Sequence, residues 1–118
     1  MKDKLFDSEI KIMEILWDNG ALPAREISRI AADTIGWNKN TTYTVIKKLE
    51  AKGCLRRDDP GFLCTPLVTR EAMRRREASA LLCKFFGGSR RALFSALLEE
   101  EELSESEREE LRALIDKR

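Results

Sequence analysis

In the first half of the chain, hydrophobic side chains recur at the spacing of a buried helical stripe in three separate stretches. They are Ile10, Met13 and Trp17, then Ile27 and Ile30, then Val45, Ile46 and Leu49. We therefore predict three amphipathic helices before residue 54.

Start and stop signals bound these helices. Asp7 or Ser8 is expected to cap the first helix, and Gly20 to end it in a left-handed conformation. Pro23 is suited to the first turn of the second helix, which should stop before Gly36. The third helix is predicted over residues 39–52, ending at Gly53.

Two short extended runs follow, at residues 54–57 and 62–65, on either side of the turn sequence Asp58-Asp59-Pro60-Gly61. Such runs around a Pro-Gly turn predict a β-hairpin. Three helices followed by a hairpin are the element order of a winged helix. The predicted fold is therefore mostly α with a small β-hairpin wing.

Three more helices are predicted in the second half of the chain. A long helix is predicted over residues 69–86 and ends at Gly87-Gly88, and Ser89 is expected to cap the next one. Ser104 with Glu107 fits a capping box that opens the last helix. We divide the chain into a winged-helix DNA-binding domain, 1–70, and a helical dimerisation domain, 71–118.

The apolar stripes of these last helices suggest how they are covered. A monomer core is one alternative, but three thin helices beyond a complete winged helix have little of their own to pack on. Burial of apolar surface would favour packing against a second copy of the chain. A dimer would also place two helix-turn-helix motifs on two DNA half-sites. The predicted dimerisation residues are Leu81, Leu82, Phe85, Leu93, Leu97, Leu98, Leu111, Leu114 and Ile115.

Charge is unevenly distributed although the 118-residue chain has a net charge of only +1. Residues 37–57 carry six cations against Glu50 alone, whereas residues 99–110 carry eight glutamates against Arg108 alone. The basic segment indicates a surface for an anionic partner, and the acidic segment a surface kept away from it.

The residue inventory argues against catalysis. The chain has no histidine, which removes the commonest general base and many zinc sites. The run at 99–102 spreads four glutamates around a helix, so its carboxylates would not converge on a metal. We predict no enzymatic activity, no cofactor and no metal site. With neither a signal peptide nor an apolar run long enough to cross a membrane, we expect a cytoplasmic protein.

The three cysteines, Cys54, Cys64 and Cys83, form no paired motif. We expect reduced thiols that act as small buried hydrophobic residues. A thiol-responsive regulator, in which oxidation of one of them changes DNA binding, is the alternative.

The third helix offers the best candidate for chemistry. Opposite its apolar face it presents Asn40, Thr41, Thr44, Lys47 and Lys48. Asn can pair with adenine, Thr can contact base edges or the thymine methyl group, and lysines can neutralise phosphates. Tyr43 lies at the edge of both faces and could stack, contact a phosphate or pack. Lys39 and Arg25 complete the predicted DNA-binding residues of the helices. Two alternatives to DNA binding are an ordinary solvated helix face and a winged helix used as a protein-interaction scaffold.

Arg56 and Arg57 lie on the first strand of the hairpin, where a wing would approach DNA. Strand alternation would direct only one of them to it. Asp58 and Asp59 would repel phosphate at the tip, so we expect the base of the wing to make the contact. Two arginines that only aid solubility are the alternative.

Several stretches taken together resemble the penicillinase repressor family of BlaI/MecI/CopY-type transcriptional regulators. They are SEIKIMEILW at 8–17, WNKNTTYTVIKKL at 37–49, Lys52-Gly53, CTPL at 64–67, FFGGS at 85–89 and Leu103-Ser104. The resemblance covers nearly the whole chain. It implies a repressor that binds a palindromic operator in double-stranded DNA as a homodimer.

The resemblance also implies how the repressor is released from DNA. This sequence differs from the family pattern in two places. In the penicillinase branch a membrane-bound sensor protease triggers cleavage at an Asn-Phe bond, and the aligned position here is Ala96-Leu97. The paired cysteine motifs of the copper branch are missing from the segment that ends at Arg118. Copper sensing is therefore not predicted, and the family's cleavage event lacks its usual residues.

Overall fold

The computed structural model describes residues 4–99 and 103–116. The chain divides into two compact units, Met1–Met73 and Arg74–Arg118. The helices are α1 (Asp7–Asn19), α2 (Ala24–Thr34), α3 (Lys39–Ala51), α4 (Arg70–Phe86), α5 (Arg90–Leu98) and α6 (Glu105–Asp116), and the strands are β1 (Leu22–Pro23), β2 (Leu55–Asp58) and β3 (Leu63–Pro66). The predicted mostly helical fold with a hairpin wing is confirmed.

The start of α1 differs from the prediction. Asp7 is the first helical residue, so the N-cap position falls on Phe6, whose side chain makes no capping hydrogen bond. Instead, the Phe6 N–H donates to Glu9 Oε1 at 2.7 Å. Glu9 thus satisfies the backbone at the helix start from the third position, as in one half of a capping box. At the other end Gly20 follows the helix with a φ of +80° as expected, but its ψ of −165° lies outside the left-handed helical conformation that was predicted.

Pro23 does not open α2 but precedes it. It lies in the two-residue strand β1, which pairs antiparallel with β3 and was not predicted. The sheet has the order β1-β3-β2, with Arg57 opposite Cys64 and Asp58 opposite Leu63 in the hairpin. The wing is therefore one part of a three-stranded sheet.

The core of the first unit contains five of the predicted apolar positions, Met13, Ile27, Val45, Ile46 and Leu49, whereas Ile10, Trp17 and Ile30 are only half-buried and pack against it. Buried hydrophobic side chains from all three helices meet those of the hairpin, and they include Ile12, Met13, Leu16, Ile27, Ala31, Val45, Ile46, Leu49 and Leu55. Burial of each large side chain contributes on the order of 1.5–3 kcal/mol. The core fixes which face of each helix is turned to solvent.

The second unit is organised by helix caps. Ser89 accepts a hydrogen bond from the Ala92 N–H at 3.1 Å at the start of α5. Ser104 accepts from the Glu107 N–H at 3.1 Å, and its own N–H donates to Glu107 Oε1 at 3.2 Å, so the predicted capping box is confirmed. Gly87 and Gly88 both have positive φ where α4 ends.

The described hydrophobic residues of this unit are not fully buried in the single chain. The last buried hydrophobic residue is Met73, and the described residues that follow are half-buried or exposed. In the described part of the protein, no helix has both the length and the apolar character to cross a membrane.

Candidate nucleic-acid interface

Helix α3 is fixed at its start by Asn38, whose side chain accepts a hydrogen bond from the Thr41 N–H at 2.8 Å. Thr42 is fully buried, and its hydroxyl donates to the Asn38 carbonyl at 3.2 Å. Val45, Ile46 and Leu49 then hold the helix against the core. One face of α3 is therefore fixed inward along its whole length.

The opposite face carries polar and cationic side chains in solvent. The predicted residues that lie there, all exposed, are Lys39, Asn40, Thr41, Thr44, Lys47 and Lys48. The Thr44 hydroxyl donates to the Asn40 carbonyl at 2.8 Å. With its proton engaged, Thr44 offers a partner a hydrogen-bond acceptor and a methyl group.

Tyr43 is half-buried and packs against the core of the first unit. Lys39 Nζ lies 5.5 Å from the centroid of its ring, within the range of a cation–π contact. Of the roles considered for Tyr43, packing is the one that the structure displays, and it places Lys39 beside the ring.

The two wing arginines lie on opposite faces of the sheet. Arg57 is cross-strand from the buried Cys64, and its Nη2 lies 3.4 Å from Glu50 Oε1 of α3. Arg56 points the other way, where its Nε pairs with Asp58 Oδ2 at 2.7 Å. Arg57 is thus brought together with the α3 residues, and Arg56 is not.

Lys52 does not belong to the exposed basic surface, although the sequence counts it among the six cations of the basic segment. Its Nζ lies 2.7 Å from Glu9 Oε1 and donates to the Lys4 carbonyl at 2.7 Å. Its side chain is only 16% exposed. Lys52 is therefore not available to an anionic partner, in contrast to Lys39, Lys47 and Lys48 on the exposed face of α3.

Arg25 is exposed in the first turn of α2. The preceding residue, Ala24, donates its N–H to the Phe62 carbonyl at 3.0 Å, which joins the start of α2 to the turn of the wing. Arg25 therefore directly follows a residue that is bonded to the wing, although Arg25 and Phe62 are 37 positions apart in sequence.

Phe62 is a residue that sequence reasoning missed. It was predicted as part of the second strand, but it lies in the turn before β3 with a φ of +50° and a side chain that is 51% exposed. Its ring centroid is 5.0 Å from Cζ of Arg57. The only signal in the sequence is a large aromatic residue directly after a Pro-Gly turn.

The cysteines divide into two classes. Cys54 and Cys64 are fully buried, as expected, whereas Cys83 is exposed on α4, so the expectation of burial is wrong there. Burial raises the pKa of the Cys64 thiol to about 11, and the nearby Arg57 offsets this only in part. Cys64 is therefore a protonated, unreactive thiol near neutral pH.

Within residues 4–99 and 103–116, no group of three or more Cys, Asp or Glu side chains is placed to hold a metal ion. The glutamates at 100–102 lie outside the described residues, as does the side chain of Ile115.

Three helices, a hairpin and a short strand that pairs with the hairpin define the first unit as a winged helix-turn-helix. Among solved structures it is similar to the solution structure of the DNA-binding domain of the repressor BlaI, with a TM-score of 0.55 and 25% identity. The match covers 61% of this chain and 93% of that one.

Sequence comparison extends the likeness to the second unit. The profile of the penicillinase repressor family matches residues 5–117. The penicillinase repressor of Bacillus licheniformis is 24% identical over 115 residues, which cover 96% of this chain and 90% of that one. The methicillin resistance regulatory protein MecI of Mammaliicoccus sciuri is 26% identical over 117 residues, which cover 98% and 95%. The chain belongs to the penicillinase repressor family.

Proposed function

We propose that this protein is a transcriptional repressor that binds a palindromic operator as a homodimer. The observation that carries the proposal is the face of α3 that presents Asn40, Thr44 and Lys47 to solvent while its apolar side is buried. In helix-turn-helix proteins the N-terminal part of the second helix of the motif enters the major groove. Membership of a family named for repressors supports the same conclusion.

The α3 face supplies the two kinds of contact that operator binding needs. Asn40 and Thr44 lie near its N-terminal end, where an Asn amide can bind adenine at two points and a Thr methyl group can pack on thymine. Lys47 and Lys48 follow, one turn further on, where cations contact phosphates. The helix thus combines sequence-specific readout with electrostatic attraction.

We assign dimerisation to the second domain, 71–118. Leu81, Phe85, Leu97 and Leu114 are between 41% and 68% exposed in the single chain. Leu82, Leu93, Leu98 and Leu111 are half-buried beside them. A second copy that covers these faces would remove a large apolar area from water, at about 25 cal/mol per Å². It would also present a second α3 to the other half of a palindrome.

The remaining parts of the proposal concern cellular context. A repressor of this family is expected in the cytoplasm, where bacterial operators lie, and to act without catalysis. The family resemblance predicts a membrane-bound sensor protease as partner. The bond aligned with its cleavage site, Ala96-Leu97, lies inside α5, so cleavage there would require local unwinding of that helix.

The test begins with selection of a preferred duplex from a randomised pool by the purified full-length protein. Thr44→Ala is then expected to lower affinity for the selected duplex by roughly tenfold while leaving random duplex unchanged. Lys47→Ala is expected to weaken both, and to reduce the slope of log affinity against log salt by about one.

The results also separate the alternatives. Failure of the wild-type protein to bind any duplex at low salt would favour a protein-interaction scaffold. Binding that neither variant changes would exclude α3 as the reading helix. A strictly monomeric protein in sedimentation experiments would contradict the assignment of the second domain.

A further inference from the structure

A groove of about 530 Å³ lies within the first unit, between the outward face of α3 and the wing. Asn40, Thr44 and Lys47 line one wall, and Arg57 and Phe62 line the other. Each wall carries one cation, and the described residues that line the groove include no carboxylate. The groove is therefore suited to an extended anionic ligand.

The wing wall of this groove is held in place by several contacts. The Phe62 carbonyl accepts hydrogen bonds from the Ala24 N–H at 3.0 Å and from Cys64 Sγ at 3.4 Å. A bulky residue rarely adopts positive φ, and these two bonds fix Phe62 in it. The ring lies against Arg57, whose guanidinium also pairs with Glu50 at 3.4 Å. Arg57 is thereby positioned before any ligand binds.

The geometry of a duplex indicates what fills the groove. If α3 occupies the major groove, as proposed above, the wing at its side lies towards the neighbouring minor groove, because the two grooves alternate along B-DNA. One sugar–phosphate strand separates those two grooves of B-DNA. That strand would run between α3 and the wing, along the groove that they form.

We propose that this groove binds the single sugar–phosphate strand between the two DNA grooves, with Lys47 and Arg57 contacting one and the same phosphodiester from opposite walls. The proposal rests on the proposed function of DNA binding. Arg57 presents a planar fork of donors that matches phosphate oxygens, and Lys47 adds a point charge. The half-exposed ring of Phe62 packs against the adjoining deoxyribose, the apolar part of the strand.

The test uses the selected palindromic duplex with one methylphosphonate at a time, which replaces one charged phosphate by a neutral group. Wild-type binding is expected to fall at one linkage beside each half-site. Lys47→Ala and Arg57→Ala are each expected to bind the unmodified duplex roughly tenfold more weakly, because each loses a charge-assisted hydrogen bond. Both are expected to show a smaller loss of affinity than wild type when that same linkage is neutralised, because each variant keeps only one of the two contacts to it.

Arg56→Ala is the matched control, since Arg56 lies on the opposite face of the same strand. It is expected to keep full sensitivity at the shared linkage. If the effect of neutralisation is reduced at different linkages for Lys47→Ala and Arg57→Ala, or at none, the groove assignment is overturned while DNA binding stands. If the wild-type protein selects no duplex, both proposals fail.

Phe62 is tested separately. Phe62→Ala is expected to bind several-fold more weakly than wild type and to show a smaller effect at the shared linkage, because Arg57 loses its ring contact. Phe62→Leu keeps an apolar side chain and is expected to recover part of the affinity. Circular dichroism of each variant establishes that it is folded, and wild-type affinity of a folded Phe62→Ala would overturn the role of the ring.

Discussion

Lys52 and Glu9 form a buried ion pair between the end of α3 and the first turn of α1, with Lys52 Nζ 2.7 Å from Glu9 Oε1. The Glu9 side chain is only 1% exposed, and the same oxygen accepts the Phe6 N–H. Its other oxygen, Oε2, has no hydrogen-bond partner among the described residues. The pair therefore connects two helices through a carboxylate that has little access to water.

Removal of Lys52 is expected to destabilise the fold. Lys52→Met leaves the Glu9 carboxylate buried without its counter-charge, which costs about 3 kcal/mol in the free energy of unfolding. Lys48→Met, at an exposed position of the same helix, should change it by less than about 0.5 kcal/mol. Urea denaturation measures both, at one fixed protein concentration, because the stability of the proposed dimer would depend on concentration.

The double variant Glu9→Leu/Lys52→Met provides a further check. With both charges gone, it is expected to be more stable than Lys52→Met alone. Equal stability of Lys52→Met and wild type, combined with weaker DNA binding, would show instead that Lys52 belongs to the DNA-binding surface.

The capping box of α6 gives a second prediction. Ser104→Ala removes the hydroxyl that accepts the Glu107 N–H and should cost about 1 kcal/mol of helix stability. If α6 belongs to the dimer interface, the dimer dissociation constant should rise about fivefold. Ser106→Ala, inside the same helix, is the control and should not weaken the dimer. Sedimentation equilibrium measures both, and equal effects of the two variants would contradict the role of the cap.

Thiol accessibility gives a third prediction. In the native protein one thiol for each chain, that of Cys83, should react rapidly with a disulfide reagent. Cys54 and Cys64 should react only after denaturation, because both are fully buried. Cys83→Ala should abolish the fast phase. Rapid reaction of two or three thiols in the native protein would contradict the burial of the hairpin cysteines and revive the thiol-responsive alternative.

The raised pKa of Cys64 predicts how stability changes in alkaline solution. Because burial raises the pKa to about 11, the folded protein holds this proton at pH values where the unfolded chain releases it. The contribution to stability is complete below about pH 8.5 and is lost as the pH rises towards 11. The stability advantage of wild type over Cys64→Ala should therefore shrink by roughly 2 kcal/mol between pH 8 and 10.5.

Denaturation of both proteins at each pH value makes this comparison. Cys83→Ala retains Cys64 and should follow the pH dependence of wild type. A constant difference between wild type and Cys64→Ala across the range would contradict the assignment.

Periodic burial made much of the fold predictable from sequence. Val45, Ile46 and Leu49 mark one face of α3, and their burial follows from helical spacing alone. The caps at Ser89 and Ser104 could also be predicted from the sequence, because a capping side chain bonds to a backbone N–H only two or three positions away. Features set by near neighbours were therefore predicted well.

Features set by distant neighbours were not. Pro23 has the properties of a first helical residue, but pairing with β3, some 40 residues later, places it in a strand. Lys52 looks like part of a basic surface, and only its contact with Glu9, 43 positions away, shows that it points inward. Local pattern carries no information about such tertiary partners.

The candidate site shows the same division. Exposure of Asn40, Thr44 and Lys47 follows from the apolar side of α3, whereas the choice between Arg56 and Arg57 needs the strand register. Phe62 could not be assigned at all, because its place in the turn depends on a hydrogen bond to Ala24.

The pairing of β1 with β3 makes the loop between the first two helices a determinant of wing position. Leu22 lies opposite Cys64 and Pro23 opposite Leu63, so the backbone just before α2 and the backbone of the wing are hydrogen-bonded to each other. A one-residue insertion between Gly20 and Leu22 would shift that register or break it. Relatives that differ in loop length there should consequently hold the hairpin at a different angle to α3, and so recognise operators with a different distance between the base contacts and the flanking backbone contacts.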